Sequence, residues 1–196
     1  MRRIHPWWFL AGLAVFSMAC SGSSTSPSST SVLNMMMKDA PFSDAKALLV
    51  TFSEVSAHTS GGDWATLPFA PPSPGAPPPA TRTCDLKKLE TAQDILGTGT
   101  IAAGHYTQVR LVVQSAAIYF DSASTGPACA PTIPTPPGNF APVNIPSGEV
   151  KLNREFDAPA GGATTMLLDF KGDQSVILTG SGTYQMSPVI AVVSVQ

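Results

Sequence analysis

The sequence predicts an all-β fold in which antiparallel strands build two sheets, and three observations carry that expectation. Several runs alternate apolar and polar side chains with a period of two, the mark of half-buried strands. Nineteen Pro and sixteen Gly among 196 residues are too many for a helical bundle, because Pro removes a backbone donor and Gly is unfavourable inside a helix. Only 12% of the chain is charged while 43% is hydrophobic, which excludes a disordered acidic or basic tail.

Val32 to Met37 reads as the first strand. Lys46 to His58 follows, with Ala47, Leu49, Thr51, Ser53, Val55 and Ala57 on one face and Lys46, Leu48, Val50, Phe52 and Glu54 on the other. Both faces are partly apolar near its start, as expected for a strand inside a sheet. Leu86, Leu89, Gln93 and Leu96 fall at helical spacing, so Leu86 to Leu96 is expected to be a helix. Tyr106 to Phe120 is a long strand with Val109, Leu111 and Val113 inward and Gln108, Arg110 and Gln114 outward. Val150, Leu152 and Phe156 alternate with Lys151, Asn153 and Glu155, although Arg154 falls on the apolar phase. Thr164 to Phe170, Ser175 to Leu178 and Tyr184 to Val195 complete the set.

Gly and Pro punctuate these runs at Gly61-Gly62, Gly104, Pro146-Ser147-Gly148, Gly161-Gly162, Gly172 and Gly180-Ser181-Gly182. About seven strands with such turns give an antiparallel two-sheet β-sandwich, Ig-like or transthyretin-like. Fourteen of the nineteen prolines lie within Pro68 to Pro79 and Pro127 to Pro146. Neither cluster is expected in a ladder, since Pro lacks the donor, so both read as long surface loops. They serve either as stiff insertions or as ligands for an aromatic groove on a partner.

Arg2 and Arg3 precede an apolar run from Trp7 to Met18, a pattern expected of a secretory signal spanning residues 1–19. Phe16-Ser17-Met18-Ala19-Cys20 resembles a bacterial lipobox, which implies lipid attachment at Cys20; Ser17 stands where Leu is usual. Nine of the eleven residues from Ser21 to Ser31 are Ser or Thr, a tract too polar to bury surface. Residues 20–31 are therefore expected to form a lipidated linker, and 32–196 a single domain. Removal of the signal leaves nine basic and thirteen acidic residues, which gives no cationic footprint for nucleic acid.

Two further thiols, Cys84 and Cys129, form an even number outside the cytosol, where a disulfide is expected and two free thiols are the alternative. Only His58 and His105 follow the signal, and H-E-x-x-H, C-x-x-C, G-x-S-x-G and P-loop motifs are absent. No catalytic residue, metal or cofactor is expected. Asp169-Phe170-Lys171-Gly172-Asp173 partly matches a calcium loop, but Lys171 stands where a ligand oxygen is wanted, so a hairpin turn is favoured. Trp64 is the single Trp beyond the signal, and an exposed Trp stacks on sugars. Trp64, His105, Tyr106 and Arg110 are the candidate ligand-binding residues, with Asp169 or Glu155 as the expected partner of Arg110.

Several segments resemble one family, bacterial exported proteins carrying the domain of unknown function numbered 4382. They are Met37-Lys38-Asp39-Ala40-Pro41, Val50-Thr51-Phe52-Ser53-Glu54-Val55, Trp64, Gly104-His105-Tyr106-Thr107-Gln108-Val109-Arg110-Leu111, Ile145-Pro146-Ser147, Leu168-Asp169-Phe170 and Tyr184 through Ile190. The resemblance covers about Val32 to Val195 and implies a β-rich extracytoplasmic domain, often on a lipoprotein, without established activity. It supplies no catalytic residues, and the proline-rich insertions and the Cys84/Cys129 pair depart from its pattern. The expected function is a membrane-anchored envelope lipoprotein whose noncatalytic domain binds or supports an envelope protein or polysaccharide. A glycan-binding module and a hydrolase are the alternatives.

Overall fold

A computed structural model of the chain describes residues 29–40 and 45–196. The signal, Cys20 and most of the Ser/Thr tract lie outside the described residues. In chain order the elements are β1 (Thr30–Asp39), β2 (Ala47–Thr59), β3 (Trp64–Thr66), β4 (Arg82–Asp85), α1 (Leu86–Leu89), β5 (Asp94–Ala102), β6 (Gly104–Tyr119) and β7 (Cys129–Ala130). They continue with β8 (Phe140–Asn144), β9 (Glu149–Ala158), β10 (Ala163–Phe170), α2 (Gly172–Ser175), β11 (Val176–Leu178), β12 (Tyr184–Met186) and β13 (Ile190–Val195).

The fold is mostly β, with two sheets and no barrel. The smaller sheet has the order β13-β10-β1-β5. The larger runs β11-β12-β8-β6-β2-β4-β7, with β3 added to β2 and β9 to β6. The expectation of antiparallel sheets is corrected to mixed ones: β1 pairs with β10 in parallel, from Val32 opposite Ala163 to Asp39 opposite Phe170. β12 and β8 are parallel as well. Alternation reads the same in either direction, so it reveals which face is buried and not which way a neighbour runs.

One hydrophobic cluster draws on both sheets. Leu33, Met35 and Met37 of β1 meet Leu48, Val50 and Phe52 of β2 and Leu111 of β6, all buried. Phe52 and Phe170 join the sheets edge to face, with ring centroids 6.3 Å apart.

Three further expectations change. The helix expected from Leu86 to Leu96 is a single turn, capped by the Asp85 carboxylate accepting from Lys87 N–H. Beyond it Asp94 enters β5, because pairing with β1 across eight residues outweighs a marginal helical pattern. The run from Tyr184 to Val195 divides at Pro188 into β12 of one sheet and β13 of the other. Pro142 does lie in a ladder, opposite Ala117, and is tolerated because β12 reaches only Val143 and Asn144, leaving an edge beside it.

Cys84 and Cys129 form a disulfide between directly opposed residues of β4 and β7. Beside it, the buried Arg82 guanidinium donates to Ala70 O at 2.9 Å, to Cys129 O at 3.3 Å and to Asp94 Oδ1 at 3.5 Å. Asp94 Oδ2 in turn accepts from Cys129 N–H. One cation thus ties both proline-rich insertions to a carboxylate of the smaller sheet. Burial pushes its pKa down and Asp94 holds it up. Asp85, fully buried, accepts from Leu48 N–H and from Ser124 Oγ, fastening the second insertion again.

Candidate functional site

β2 and β6 are the two longest strands, and they pair along almost their whole length. Their outward positions form one continuous surface with two unlike ends. Where β6 begins, that surface gathers Glu54, Ser56 and His58 from β2, Arg110 from β6, Trp64 from β3, and Glu149 and Lys151 from β9. Register sets the grouping: Ser56 lies opposite both Arg110 and Thr66, His58 opposite both Gln108 and Trp64, and Arg110 opposite Lys151.

Arg110 is the centre of this group. Its Nε donates to Glu54 Oε1 at 3.1 Å and to Ser56 Oγ at 3.2 Å, and its Nη2 also pairs with Glu54 Oε1. Ser56 Oγ donates to the same Glu54 oxygen at 2.8 Å. The indole of Trp64 lies over the guanidinium, 4.2 Å from centroid to Cζ, an attractive cation–π arrangement. His58 packs tilted against Trp64 at 4.8 Å, and its Nδ1 is 3.2 Å from Thr107 Oγ1. Glu149 bonds Lys151 at 2.9 Å, and that bond, with Arg110 nearby, holds its carboxyl below the usual range. Glu54, not Asp169 or Glu155, is therefore the partner of Arg110, because β10 lies in the other sheet and β9 sets Lys151, not Glu155, opposite Arg110. Sequence reading missed Glu54 and Ser56 as site residues: alternation puts Glu54 in phase with Leu48, Val50 and Phe52, and only the bulge beside Phe52 turns Glu54, Ser56 and His58 onto the outer face.

The other candidates separate from this group. Tyr106 is fully buried, stacked on Phe156 at 5.1 Å, and its hydroxyl donates to Ala102 O. His105 sits half-exposed at the rim, its Nδ1 2.9 Å from Asp157 Oδ1. Among the described residues no three His, Cys, Asp or Glu side chains converge to hold a metal ion. The stretch expected as a hairpin turn at Asp169–Asp173 holds the turn α2 instead: Asp169 pairs with Lys38 at 3.7 Å, and Gly172 N–H donates to Asp39 Oδ1.

The domain of unknown function DUF4382 matches residues 30–188, a span that includes β1 to β12, both insertions and the disulfide. The chain belongs to this family. No curated protein and no solved structure matches it.

In this DUF4382 domain the second end of the β2–β6 surface is different in kind. Ala47, Leu49 and Tyr119 point outward there and would be wet but for Ile133, which folds onto them from the second insertion. Between this strap and the sheet lies a cleft of about 270 Å³ lined by Leu49, Thr51, Thr83, Ser115, Tyr119 and Ile133, among others. A second cleft, about 360 Å³, opens beside Asp39, Glu90 and Gln93. Asp39 is buried with Oδ2 unpartnered, and desolvation, opposed by the Gly172 bond, pushes its pKa up to about 7.

Proposed function

We propose that the chain is an exported envelope lipoprotein, anchored through Cys20, whose noncatalytic domain is displayed on a Ser/Thr tether to bind or support an envelope partner. The observation that carries this reading is the run of signal, Ala19-Cys20 and polar tract, ending where β1 begins at Thr30. Several acyl chains on one sulfur, at about 0.8 kcal/mol per buried methylene, suffice for durable attachment.

The reading also treats the two sheets as the layers of a β-sandwich. Its support is the shared core and the Tyr106 hydroxyl closing the corner between β5 of one sheet and β6 of the other, as tyrosines do in sandwich folds. β6 starts next to the tether, since Ala103 N–H donates to Ser29 O. Its sixteen residues then carry the second insertion roughly 50 Å away from that end. In this arrangement the Arg110 group faces the anchor and the proline strap faces outward.

In this reading the ionic groups serve the structure, Arg110 holding Glu54 and Ser56 and Asp94 holding Arg82 and Cys129. The test is Cys20→Ser. The variant is expected to move from the membrane fraction to the soluble fraction, and the wild-type N-terminal peptide to carry acyl mass. An unmodified wild-type Cys20 removes the anchor.

A further inference from the structure

The Trp64 ring is poorly placed to receive a sugar, since the Arg110 guanidinium covers one of its faces. The cleft under the proline strap has the better chemistry. We propose that it is a binding site for a neutral saccharide ring.

Its lining is mixed: the sheet contributes Leu49, Thr51, Thr83, Ser115 and Tyr119 and the strap contributes Thr132 and Ile133, so hydroxyls and apolar side chains alternate around it. No charged side chain lines the cleft, so a charged ligand would lose hydration and find no counter-charge. A purely apolar ligand would leave the hydroxyls against hydrocarbon, which is also costly. A pyranose suits such a mixed lining, because it presents C–H groups on its face and hydroxyls around its rim.

Thr51 and Thr83 bond each other at 2.9 Å, which leaves their remaining lone pairs and one proton for a ligand. Ser115 and Thr132 are exposed and hydrogen-bond to no other described side chain. At about 270 Å³ the cleft takes a single ring, being smaller than the roughly 300–1,000 Å³ of sites for drug-sized ligands. Phe140, 59% exposed, stacks on Tyr119 with centroids 5.6 Å apart and offers its free face beside the cleft to a neighbouring ring.

The strap is also held in place before any ligand arrives. The disulfide and Arg82 fix one end at Cys129, and at the other Asp121 Oδ2 accepts from both Asn139 N–H at 2.6 Å and Asn139 Nδ2 at 2.9 Å. Gly138, at φ 105°, brings the backbone so near Asp121 that a Cβ would collide. A wall fixed in this way spares binding the entropy of ordering a loop.

This site rests on the binding-domain reading and is independent of the anchor. The experiment is calorimetry and saturation-transfer NMR on the purified full chain with maltotriose, the N-acetylglucosamine trimer and dextran, and with trigalacturonate as the acidic control. At least one neutral saccharide is expected to saturate a single site. Ala117→Trp, which fills the cleft, is expected to weaken it at least tenfold, and Thr83→Val about threefold with the melting temperature lowered by no more than about 4 °C for the lost Thr51 bond; Trp64→Ala leaves it unaltered. The proposal is overturned if no neutral saccharide binds at about 10 mM, if both cleft variants bind as wild type, if Trp64→Ala abolishes binding, or if trigalacturonate binds better. Failure here with acylated Cys20 intact removes this site alone, whereas binding by an unacylated chain removes the anchor alone.

Discussion

The two ends of the β2–β6 surface are built by the same pair of strands and solve the same problem differently. At the Arg110 end the outward residues are polar and satisfy one another, so water can cover them. At the Leu49 end they are apolar, and a second piece of chain has to cover them. A self-satisfied ionic surface needs no lid, whereas an apolar one needs a lid that is fastened. That accounts for the concentration of staples, the disulfide, Arg82–Asp94 and Asp85–Ser124, at one end only.

The largest break in this contrast is expected from removing the disulfide. Cys84→Ser with Cys129→Ser frees a loop of 45 residues and should cost about 4 kcal/mol by the chain-entropy account. Urea titration gives that loss, and amide exchange should show Leu49 and Tyr119 deprotected before Ser56 and Arg110. Equal deprotection of both ends would falsify the division of labour.

Arg82→Ala comes next, at about 3 kcal/mol, the lower end for a broken buried pair because Asp94 retains 27% side-chain exposure. Its thermal unfolding should lose cooperativity at the strap first, and a loss below about 0.5 kcal/mol would show that the insertions stand unaided.

Asp39 sharpens the comparison through pH, since it lies at the strap end of the molecule. Its unfolded form releases the proton near 3.8 and its folded form near 7. Between these values the folded state binds the proton more tightly, so stability falls as pH rises from about 4 to about 7 and stays reduced above. Asp39→Asn keeps an acceptor for Gly172 N–H and should be more stable than wild type by roughly 2 kcal/mol at pH 8. That is about half the full conversion at about 1.4 kcal/mol per pH unit, because the new amide also lacks a partner. Near pH 4, where the wild-type carboxyl is protonated and only the amide penalty remains, the variant should be less stable by roughly 2 kcal/mol, so the order of stability inverts between pH 4 and pH 8; a constant difference across that range would assign the effect to packing.

The smallest effect belongs to the ionic end. A double-mutant cycle on Glu54→Ala and Arg110→Ala should give a coupling of about 1 kcal/mol, as both side chains are partly solvated. Indole fluorescence of Trp64 should shift in Arg110→Ala. A coupling above about 3 kcal/mol would mean that this end is as tightly built as the other.

Much of this was legible in the chain. β9, β10 and the first half of β6 follow their alternation, and the two spare thiols do pair; β2 does not, because bulges near Phe52 flip its phase and put Val55 and Ala57 on the core face with Leu48, Val50 and Phe52, opposite to Ala47 and Leu49. What escaped depends on which segments become neighbours. Leu86, Leu89 and Leu96 meet helical spacing, yet Leu96 belongs to a strand whose Gly97 and Gly99 look like strand breakers. They are glycines because Pro68 lies on them: a Cβ at Gly99 would sit 2.7 Å from Pro68 Cδ, and one at Gly97 3.1 Å from Pro68 O. Leu49 and Tyr119 turn outward only because of bulges in β2 and β6, and nothing local said that Ile133, far along the chain, would cover them. At the candidate site, Trp64 and Arg110 were both singled out, and only register revealed that they meet.

The bond from Arg82 to Ala70 O reaches across twelve positions of sequence. It pinches the foot of the first insertion shut, with both sides of the foot buried. The stretch from Pro71 to Pro79 beyond it is mostly exposed. A foreign peptide exchanged for Pro72–Pro78 would inherit a closed base without touching either sheet, which makes this spot a natural graft point for epitopes or tags.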